Sequence, residues 1–364
     1  MMRPWFVALM IASLVSGTTQ AADPPRTKAE QNVRLVFTGD IMLDMIPGAA
    51  LSQGVDPFVP YGPVFKEADF VVGNLECVVA TGGQQFIKPF TFKVHPRAIP
   101  TLDKWFDAFS IANNHTGDFG DEALLEELKL FDGKVPLFGG GKNLAEARKP
   151  LIVERNGVKI ALLGYNEFIP PEFAAGENDP GIAWSRDEHV VEDIRAAREK
   201  YRADVVLPFL HWGWEHEPEP NDRQKQFARA MIDAGASAVI GGHPHVTQGA
   251  EIYKGRPIVY SLGNFVFDGF DEPENNVGWV LRMTVDRDGI ARWDTVVHDI
   301  DFLGTPTPNW KAAGPQASAG GKPWKQRSPS SPPQVRRSLL AGVELPESRS
   351  ISPELSLDGW RCRR

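Results

Sequence analysis

One stretch decides how the chain is interpreted: residues 238–267, AVIGGHPHVTQGAEIYKGRPIVYSLGNFVF. A short apolar run ends at two glycines, and two histidines separated by one residue, His243 and His245, follow directly. An apolar run that breaks at glycines is typical of a buried strand that ends in a loop. Ligands bind at the carboxyl ends of strands in open α/β sheets, so both imidazoles are placed to face one ion. The pattern predicts a metal site, and the alternative is two ordinary surface histidines.

Four stretches upstream repeat this design, because each is an apolar run followed directly by side chains that can bind a metal. The side chains that follow them are Asp40 after 32–39, Asn74 and Glu76 after 69–73, Asn113, Asn114 and His115 after 107–112, and His211 after 204–210. Each has a structural alternative: Asp40 and His115 are also suited to cap helices, and His211 could pack among neighbouring tryptophans. Five such endings together favour a shared site.

The types of side chain in this set restrict the metal. Carboxylate, amide and imidazole ligands together suit Zn²⁺, Mn²⁺ or Fe rather than Ca²⁺ or a metal bound by thiolates. A closed structural zinc site needs only four ligands. The surplus therefore indicates either two ions, or one ion with additional catalytic groups.

Helical and strand patterns alternate along the chain up to about residue 242. Helices are predicted at 121–131, at 185–201 with Ser185 as cap, and at 221–235. Hairpins are predicted at 150–166, 250–267 and 277–302, each with a turn that contains glycine. This alternation predicts an α/β fold with a mixed sheet.

Composition excludes some classes of protein. The 364 residues are 42% hydrophobic and 24% charged, which is typical of a globular protein with a large core. The formal net charge is −8, so nucleic-acid binding is not expected. From residue 305 onward there are ten Lys/Arg and four Asp/Glu, which leaves −14 on the first 304 residues. The two cysteines predict no disulfide framework.

The two ends of the chain differ from the body. Residues 1–22 have the layout of a secretory signal peptide: Arg3, an apolar run over 5–15, and small residues before the expected cleavage point. The run is short for a membrane span, so we expect a periplasmic or secreted protein without a stable transmembrane segment, with an uncleaved anchor as the alternative. Residues 304–364 are rich in Pro, Ser, Gly and Arg and are predicted to be a disordered basic tail.

The ordered motifs GD, GNLE, ANNH, HWG, GGHPHV and SLGNF resemble those of the CapA family of capsule and poly-γ-glutamate biosynthesis proteins. That family resembles the calcineurin-like metallophosphoesterases. The resemblance implies a metallophosphatase-like four-layer sandwich over residues 32–303, with mixed β-sheets between helices. It also implies two divalent ions (Mn, Zn or Fe) and the following roles: Asp40, Glu76 and His245 on the first ion, with Glu76 bridging; Asn114, His211 and His243 on the second; His115 as catalytic histidine; and Asn74, Asn113 and Asn264 near the site.

The sequence departs from the metallophosphoesterase pattern at two positions. Met42 stands where a histidine is usual, so the first ion would lack one protein ligand, and Glu76 stands where an aspartate is usual. The resemblance implies a metal-dependent hydrolase that acts on a polymer amide or phosphoester bond, with an anionic polymer or small phosphoester as substrate. The alternative is a non-catalytic accessory component that binds capsule synthesis or export proteins.

Overall fold

The computed structural model describes residues 32–268 and 270–318, and the predicted signal peptide 1–22 lies outside them. The described residues contain nineteen strands and seven α-helices. The strands are β1 (Val33–Ile41), β2 (Phe70–Leu75), β3 (Val78–Val79), β4 (Lys93–Val94), β5 (Ala108–Ser110), β6 (Leu137–Phe138), β7 (Gly140–Gly141), β8 (Leu151–Arg155), β9 (Val158–Asn166), β10 (Gly181–Ile182), β11 (Val205–His211), β12 (Val239–Gly242), β13 (Thr247–Tyr253), β14 (Arg256–Leu262), β15 (Asn264–Val266), β16 (Val277–Asp286), β17 (Gly289–Ile300), β18 (Pro306–Pro308) and β19 (Gln316–Ser318). The helices are α1 (Met45–Ser52), α2 (Gly62–Lys66), α3 (Ile99–Trp105), α4 (Gly120–Phe131), α5 (Leu144–Ala147), α6 (Asp187–Glu199) and α7 (Asp222–Ala234).

Two large mixed sheets contain most of these strands. The first has nine strands in the order β18-β17-β16-β1-β2-β5-β6, with β15 beside β1 and β19 beside β17. The second has six strands in the order β13-β14-β12-β11-β9-β8. In each sheet the central strands run parallel and antiparallel hairpins extend it, which confirms the predicted mixed α/β fold.

The two sheets pack face to face, and helices cover both outer faces. Along β1, Leu35 and Phe37 join an apolar cluster shared with the second sheet, whereas Val36 joins a cluster with helical residues. This alternation follows from the two-residue period of a strand. On the far face of the second sheet, Ile194 of α6 and Met231 of α7 belong to a third cluster. The resulting helix–sheet–sheet–helix order confirms the four-layer sandwich.

The carboxyl ends of the central strands meet at one edge of the sandwich. In the first sheet, β1, β2 and β5 run parallel, so the residues that follow them emerge on the same side. In the second sheet, β11 and β12 are likewise parallel, with His211 in register with Gly242. This shared edge brings together the polar motifs, which are far apart in sequence.

The local predictions agree with the structure except at one helix cap. The hairpins β8–β9, β13–β14 and β16–β17 form as expected, and α7 has a capping box between Asn221 and Gln224. The predicted cap at Ser185 is wrong, because α6 begins at Asp187 without a side-chain cap. The Ser185 hydroxyl donates instead to the Glu167 carboxylate at 3.1 Å.

Regular structure continues past the predicted domain boundary at residue 303. The short strands β18 and β19 both pair with β17, so the part of the predicted tail that is described, 304–318, adds to the first sheet. The two prolines of β18 are tolerated because it lies at the edge of the sheet. Trp310 packs against the apolar core, which gives this tryptophan a structural role. The rest of the predicted tail, 319–364, lies outside the described residues.

None of the helices within 32–268 and 270–318 combines the length and the apolar content that a membrane crossing requires.

Candidate metal centre

The ten side chains predicted from the sequence lie in one buried cluster at the shared edge of the sheets. None of them is more than 4% exposed. They are Asp40, Asn74, Glu76, Asn113, Asn114, His115, His211, His243, His245 and Asn264. The first sheet and its loops supply the carboxylates and the asparagines, and the second sheet supplies three of the four histidines: His211 at the end of β11, and His243 and His245 in the loop after β12. The site therefore depends on both sheets.

Two overlapping groups have the spacing of metal ligands. Asp40, Glu76 and His211 form one group, and Glu76, His243 and His245 form the other; within each group the ligand atoms lie within 4.8 Å of one another. Glu76 Oε1 is 3.4 Å from His211 Nε2 and 3.8 Å from His245 Nε2. Because Glu76 belongs to both groups, its position suits a carboxylate that bridges two ions. The groups place His211 with Asp40 and His243 with His245, whereas the resemblance implies His245 with Asp40 and His211 with His243.

The loop after β12 holds its two histidines in an unusual backbone conformation. The φ angle is 95° at His243 and 57° at His245, in the left-handed region that residues with a Cβ rarely adopt. Such conformations cost about 1–3 kcal/mol and persist where surrounding structure enforces them. Here the amide of His243 donates to Asp40 Oδ2 at 3.1 Å, which fixes the loop against the carboxylate.

Asparagine side chains orient the candidate ligands. Asn74 Nδ2 donates to Asp40 Oδ1 at 2.8 Å and lies 3.2 Å from His211 Nδ1. Asn264 Oδ1 lies 2.8 Å from His245 Nδ1, which leaves His245 Nε2 directed toward Glu76. Asn114 Oδ1 lies 2.7 Å from His211 Nε2. Partners of this kind fix the ring orientation of metal-binding histidines.

The cluster has the properties of a site that requires a cation. Neither carboxylate oxygen of Glu76 has a hydrogen-bond partner, nor does His243 Nε2. Burial raises the pKa of Glu76 well above its usual value, and the Asp40 charge adds to this. Burial also raises the pKa of Asp40 to about 7. These carboxylates are poorly solvated as anions, and a bound divalent ion would neutralise them. The residues therefore fit a metal.

The histidines are in the protonation state that metal ligands need. Burial lowers the pKa of His211 and of His243 well below the usual value, and lowers that of His245 to about 3. All three are therefore neutral at pH 7, with a nitrogen lone pair available to an ion.

His115 lies beside the candidate ligands and has its own set of partners. Its Nε2 is 3.9 Å from Glu76 Oε1, and its Nδ1 is 2.7 Å from Asp118 Oδ2. Lys88 Nζ forms an ion pair with Asp118 Oδ1 at 2.6 Å. Sequence reasoning missed both Asp118 and Lys88. Asp118 could have been found from the sequence, because it is the carboxylate three residues after His115. Lys88 could not, because it lies in a loop without a recognisable sequence pattern.

Aromatic rings flank three of the histidines. The ring centroids are 4.3 Å apart for Phe92 and His115, and 3.8 Å apart for Phe168 and His243. Phe267 lies 4.7 Å from the third ring, His245. This packing limits rotation of the imidazoles and excludes water from their faces.

The structural alternatives for individual residues do not hold. Asp44, not Asp40, is the N-cap of α1, and α4 begins at Gly120, five residues after His115. Trp212 points away from its neighbour His211 into the helix-covered cluster of the second sheet.

Met42 does not face the cluster of candidate ligands. It is fully buried in the apolar core, and its sulfur accepts a hydrogen bond from the Asp44 amide at 3.1 Å.

The chain matches proteins of known families over most of its length. Residues 34–269 match the model of the family described as "Bacterial capsule synthesis protein PGA_cap". The "PGA biosynthesis protein CapA" of Bacillus subtilis is 34% identical over 315 residues, 84% of this chain and 81% of the relative. A "Probable polyglutamine synthesis accessory protein" of Mycobacterium tuberculosis is 30% identical over 214 residues, 55% and 56% of the two chains.

One solved structure that the chain matches is the NAD nucleotidase of Haemophilus influenzae. It has a TM-score of 0.45 and 14% identity, and the match covers 80% of this chain and 54% of that one. The family assignment rests on the sequence matches, which extend over the motifs that supply the buried cluster. The chain therefore belongs to the bacterial capsule synthesis protein family PGA_cap, and the CapA protein of Bacillus subtilis is its relative.

Proposed function

We propose that this protein is a metal-dependent hydrolase of capsule or poly-γ-glutamate metabolism that cleaves a phosphoester or a polymer amide bond. The observation that carries the proposal is the Glu76 carboxylate, which is fully buried and has no hydrogen-bond partner on either oxygen. Ligand nitrogens of three histidines lie within 4.8 Å of it. A buried carboxylate in that state is neutralised by a proton or by a cation, and the three neutral histidines around Glu76 favour a metal cation.

The proposal gives each side chain a task. Asp40, Glu76, Asn114, His211, His243 and His245 would hold the divalent ions. When bound, Mn²⁺, Zn²⁺ or Fe ions would supply Lewis acidity toward an ester, phosphoryl or amide oxygen. Asn74 and Asn264 orient Asp40 and His245 through the contacts above, and Asn113 Nδ2 donates to Asn74 Oδ1 at 3.3 Å.

His115 is the proposed catalytic residue. Its Nδ1 is held by Asp118, so its Nε2 faces the carboxylate cluster, where it can exchange a proton with a substrate atom. Burial lowers the pKa of His115, and the nearby Lys88 charge lowers it further. His115 is therefore neutral before the substrate binds, and it donates no metal-binding atom to either of the two ligand groups described above.

The predicted signal peptide supports a periplasmic or secreted location, where capsule polymers are assembled or trimmed. An anionic polymer of this kind, or a small phosphoester, would be the substrate, and capsule synthesis or export proteins would be the partners. Fractionation of cells that express the full-length chain tests the location.

A non-catalytic role is the second candidate, and Met42 favours it. This thioether is a poor ligand for a hard ion and is packed in the core, so the first ion would have one protein ligand fewer. The name of the mycobacterial relative includes the words "synthesis accessory protein". In this role the buried cluster would bind a polymer or a partner without cleaving a bond.

Turnover by the metal-loaded full-length protein separates the two candidates. A generic phosphodiester and a γ-glutamyl peptide would be assayed with Mn²⁺, Zn²⁺ and Fe²⁺. We expect hydrolysis of one of them. His115→Ala should keep its metal and lose activity by about 10²-fold or more, because general acid–base catalysis contributes that much. His189→Ala, on the outer helix α6, is the matched control and should behave as wild type.

Full activity of His115→Ala would remove this residue from the mechanism. A metal-loaded wild-type protein that leaves both substrates untouched would favour the binding role.

A further inference from the structure

We propose that Lys88 is a positioning residue of this centre, whose ammonium group ties His115 and Asn114 together through Asp118. The inference rests on the proposed metal-dependent function, because it assigns the group that orients the catalytic imidazole relative to a metal ligand.

The ammonium group of Lys88 makes three close contacts. Its Nζ lies 2.6 Å from Asp118 Oδ1, 2.5 Å from the main-chain oxygen of Asn114 and 3.3 Å from His115 Nδ1. Asn114 is the residue whose side-chain oxygen contacts His211. One cation therefore fixes both the backbone of a candidate ligand and the carboxylate that holds its neighbour His115.

Asp118 uses its other oxygen for two further contacts. Asp118 Oδ2 lies 2.7 Å from His115 Nδ1 and accepts a hydrogen bond from the Phe92 amide at 2.7 Å. The carboxylate only accepts hydrogen bonds, and its contact with Nδ1 is shorter than the 3.3 Å contact of the Lys88 ammonium, so we place the His115 proton on Nδ1 and leave Nε2 to face Glu76. The orientation and the tautomer of the imidazole thus depend on where Asp118 is held.

The positive charge of Lys88 contributes to holding Asp118 in place, in addition to the contacts that its side chain makes. The Asp118 side chain has no exposed surface and that of Lys88 is 11% exposed, so the pair is shielded from water. Without the ammonium group, Asp118 would be an uncompensated anion beside the cluster and would move toward another hydrogen-bond donor.

The loop that carries Lys88 is itself held above the site. The Phe86 amide donates to the main-chain oxygen of Asp118 at 2.7 Å, and the Phe86 ring meets the Phe173 ring edge-on at 5.0 Å. These contacts would keep the loop in place without the ammonium group. A variant that removes only the charge is therefore expected to fold.

The test compares Lys88→Met, which removes the charge, with Lys88→Arg, which keeps it, in the full-length protein. Lys93→Met is the matched control, because Lys93 lies in the same segment but donates to the Gly82 carbonyl and lies over the Phe119 ring. Lys88→Gln replaces the Met variant if that one fails to fold. The readouts are bound metal, kcat and KM on the substrate found above, and the His115 Nδ1 proton signal in NMR spectra of the Zn²⁺-loaded protein.

We expect Lys88→Met to retain its metal while kcat per bound metal falls about 10–100-fold and KM changes less than about twofold. The Nδ1 proton signal should shift or vanish in that variant. Lys88→Arg should recover most of the activity, and Lys93→Met should match wild type in all readouts. A merely structural role would lower thermal stability or metal content and leave kcat per bound metal unchanged.

Wild-type kcat and an unchanged Nδ1 signal in Lys88→Met would overturn the inference, as would equal losses in Lys93→Met. If the wild-type protein turns over no substrate, the proposed hydrolase function fails. The NMR signal then still decides the role of Lys88, because it requires no activity.

Discussion

Two buried glutamates show how surroundings decide the role of one residue type. Glu76 has no hydrogen-bond partner and lies among three histidines and Asp40, where a divalent ion can replace the proton that burial favours on the carboxylate. Glu127 of α4 is also buried, but its Oε1 accepts a hydrogen bond from the Val79 amide at 3.0 Å. Burial raises the pKa of Glu127 to about 8, so at neutral pH it is a protonated group that attaches the helix to β3.

The protonated Glu127 makes stability depend on pH. Its pKa is 4.5 without burial and about 8 in the folded protein, so its contribution is complete below about pH 4.5 and is lost as the pH rises through 8. Glu127→Gln keeps the acceptor and cannot ionise. Relative to wild type, its free energy of unfolding should therefore increase between pH 5 and pH 8, by about 1–3 kcal/mol.

Urea unfolding of the two proteins at both pH values, with EDTA present, measures this difference. Glu122→Gln changes an exposed glutamate of the same helix and is the control. An identical difference between Glu127→Gln and wild type at pH 5 and pH 8 would contradict the assignment.

At the residue scale, the sequence predicted those site residues that come directly after an apolar strand pattern. Asp40, Glu76 and His243 were predicted because a polar side chain that directly follows a buried strand has few structural reasons to be there. Lys88 was not predicted, because its role depends on the position of a loop that crosses the site. One lysine among 39 basic residues has no local sequence pattern that distinguishes it. Contacts between loops distant in sequence are set by the tertiary fold.

At the scale of elements, the turn from β12 into its loop is the most constrained part of the site. A Cβ on Gly241 would lie 2.0 Å from the Tyr260 carbonyl oxygen, and one on Gly242 would lie 2.7 Å from Asp40 Oδ1. These glycines let the backbone approach the neighbouring strand and the Asp40 carboxylate, and this approach places the two histidines.

Gly242→Ala should therefore weaken metal binding without removing a ligand. The new methyl group would displace the Asp40 carboxylate, and we expect the dissociation constant of the metal to rise about tenfold or more. Gly249→Ala in β13 is the control, because no atom lies within 4 Å of its added Cβ. Competition with a chromophoric chelator gives both constants, and equal constants for the two variants would show that Gly242 has no such role.

Elements were predicted best where their signals are local. The cap of α7 is correct because Asn221 and Gln224 bond to each other's backbone within one turn. The cap of α6 is wrong because Ser185 is drawn to Glu167, a residue outside the helix that also binds Arg223. A side chain with a competing tertiary partner does not follow its local preference.

At the scale of the whole molecule, the site depends on the packing of two sheets. Asp40 and Glu76 come from the first sheet, and His211 and His243 from the second, so bound metal would link the two halves of the sandwich.

The α/β class of the whole molecule was predictable from the alternating helix and strand patterns of the sequence. The division of strands between two sheets came only from the family resemblance, because neighbours such as β1 and β16 are distant in sequence. The short strands β18 and β19 beyond residue 303 were not predicted, because a Pro-rich edge strand has no strand pattern.

The metal content of the purified full-length protein, measured by elemental analysis beside that of His243→Ala, tests the central claim most directly. Wild type should contain one to about two equivalents of Mn, Zn or Fe, with Met42 limiting the first ion. His243→Ala should lose most of this metal, because His243 Nε2 is a buried nitrogen with no hydrogen-bond partner. Equal metal contents in the two proteins, or no metal in wild type after loading, would contradict the account.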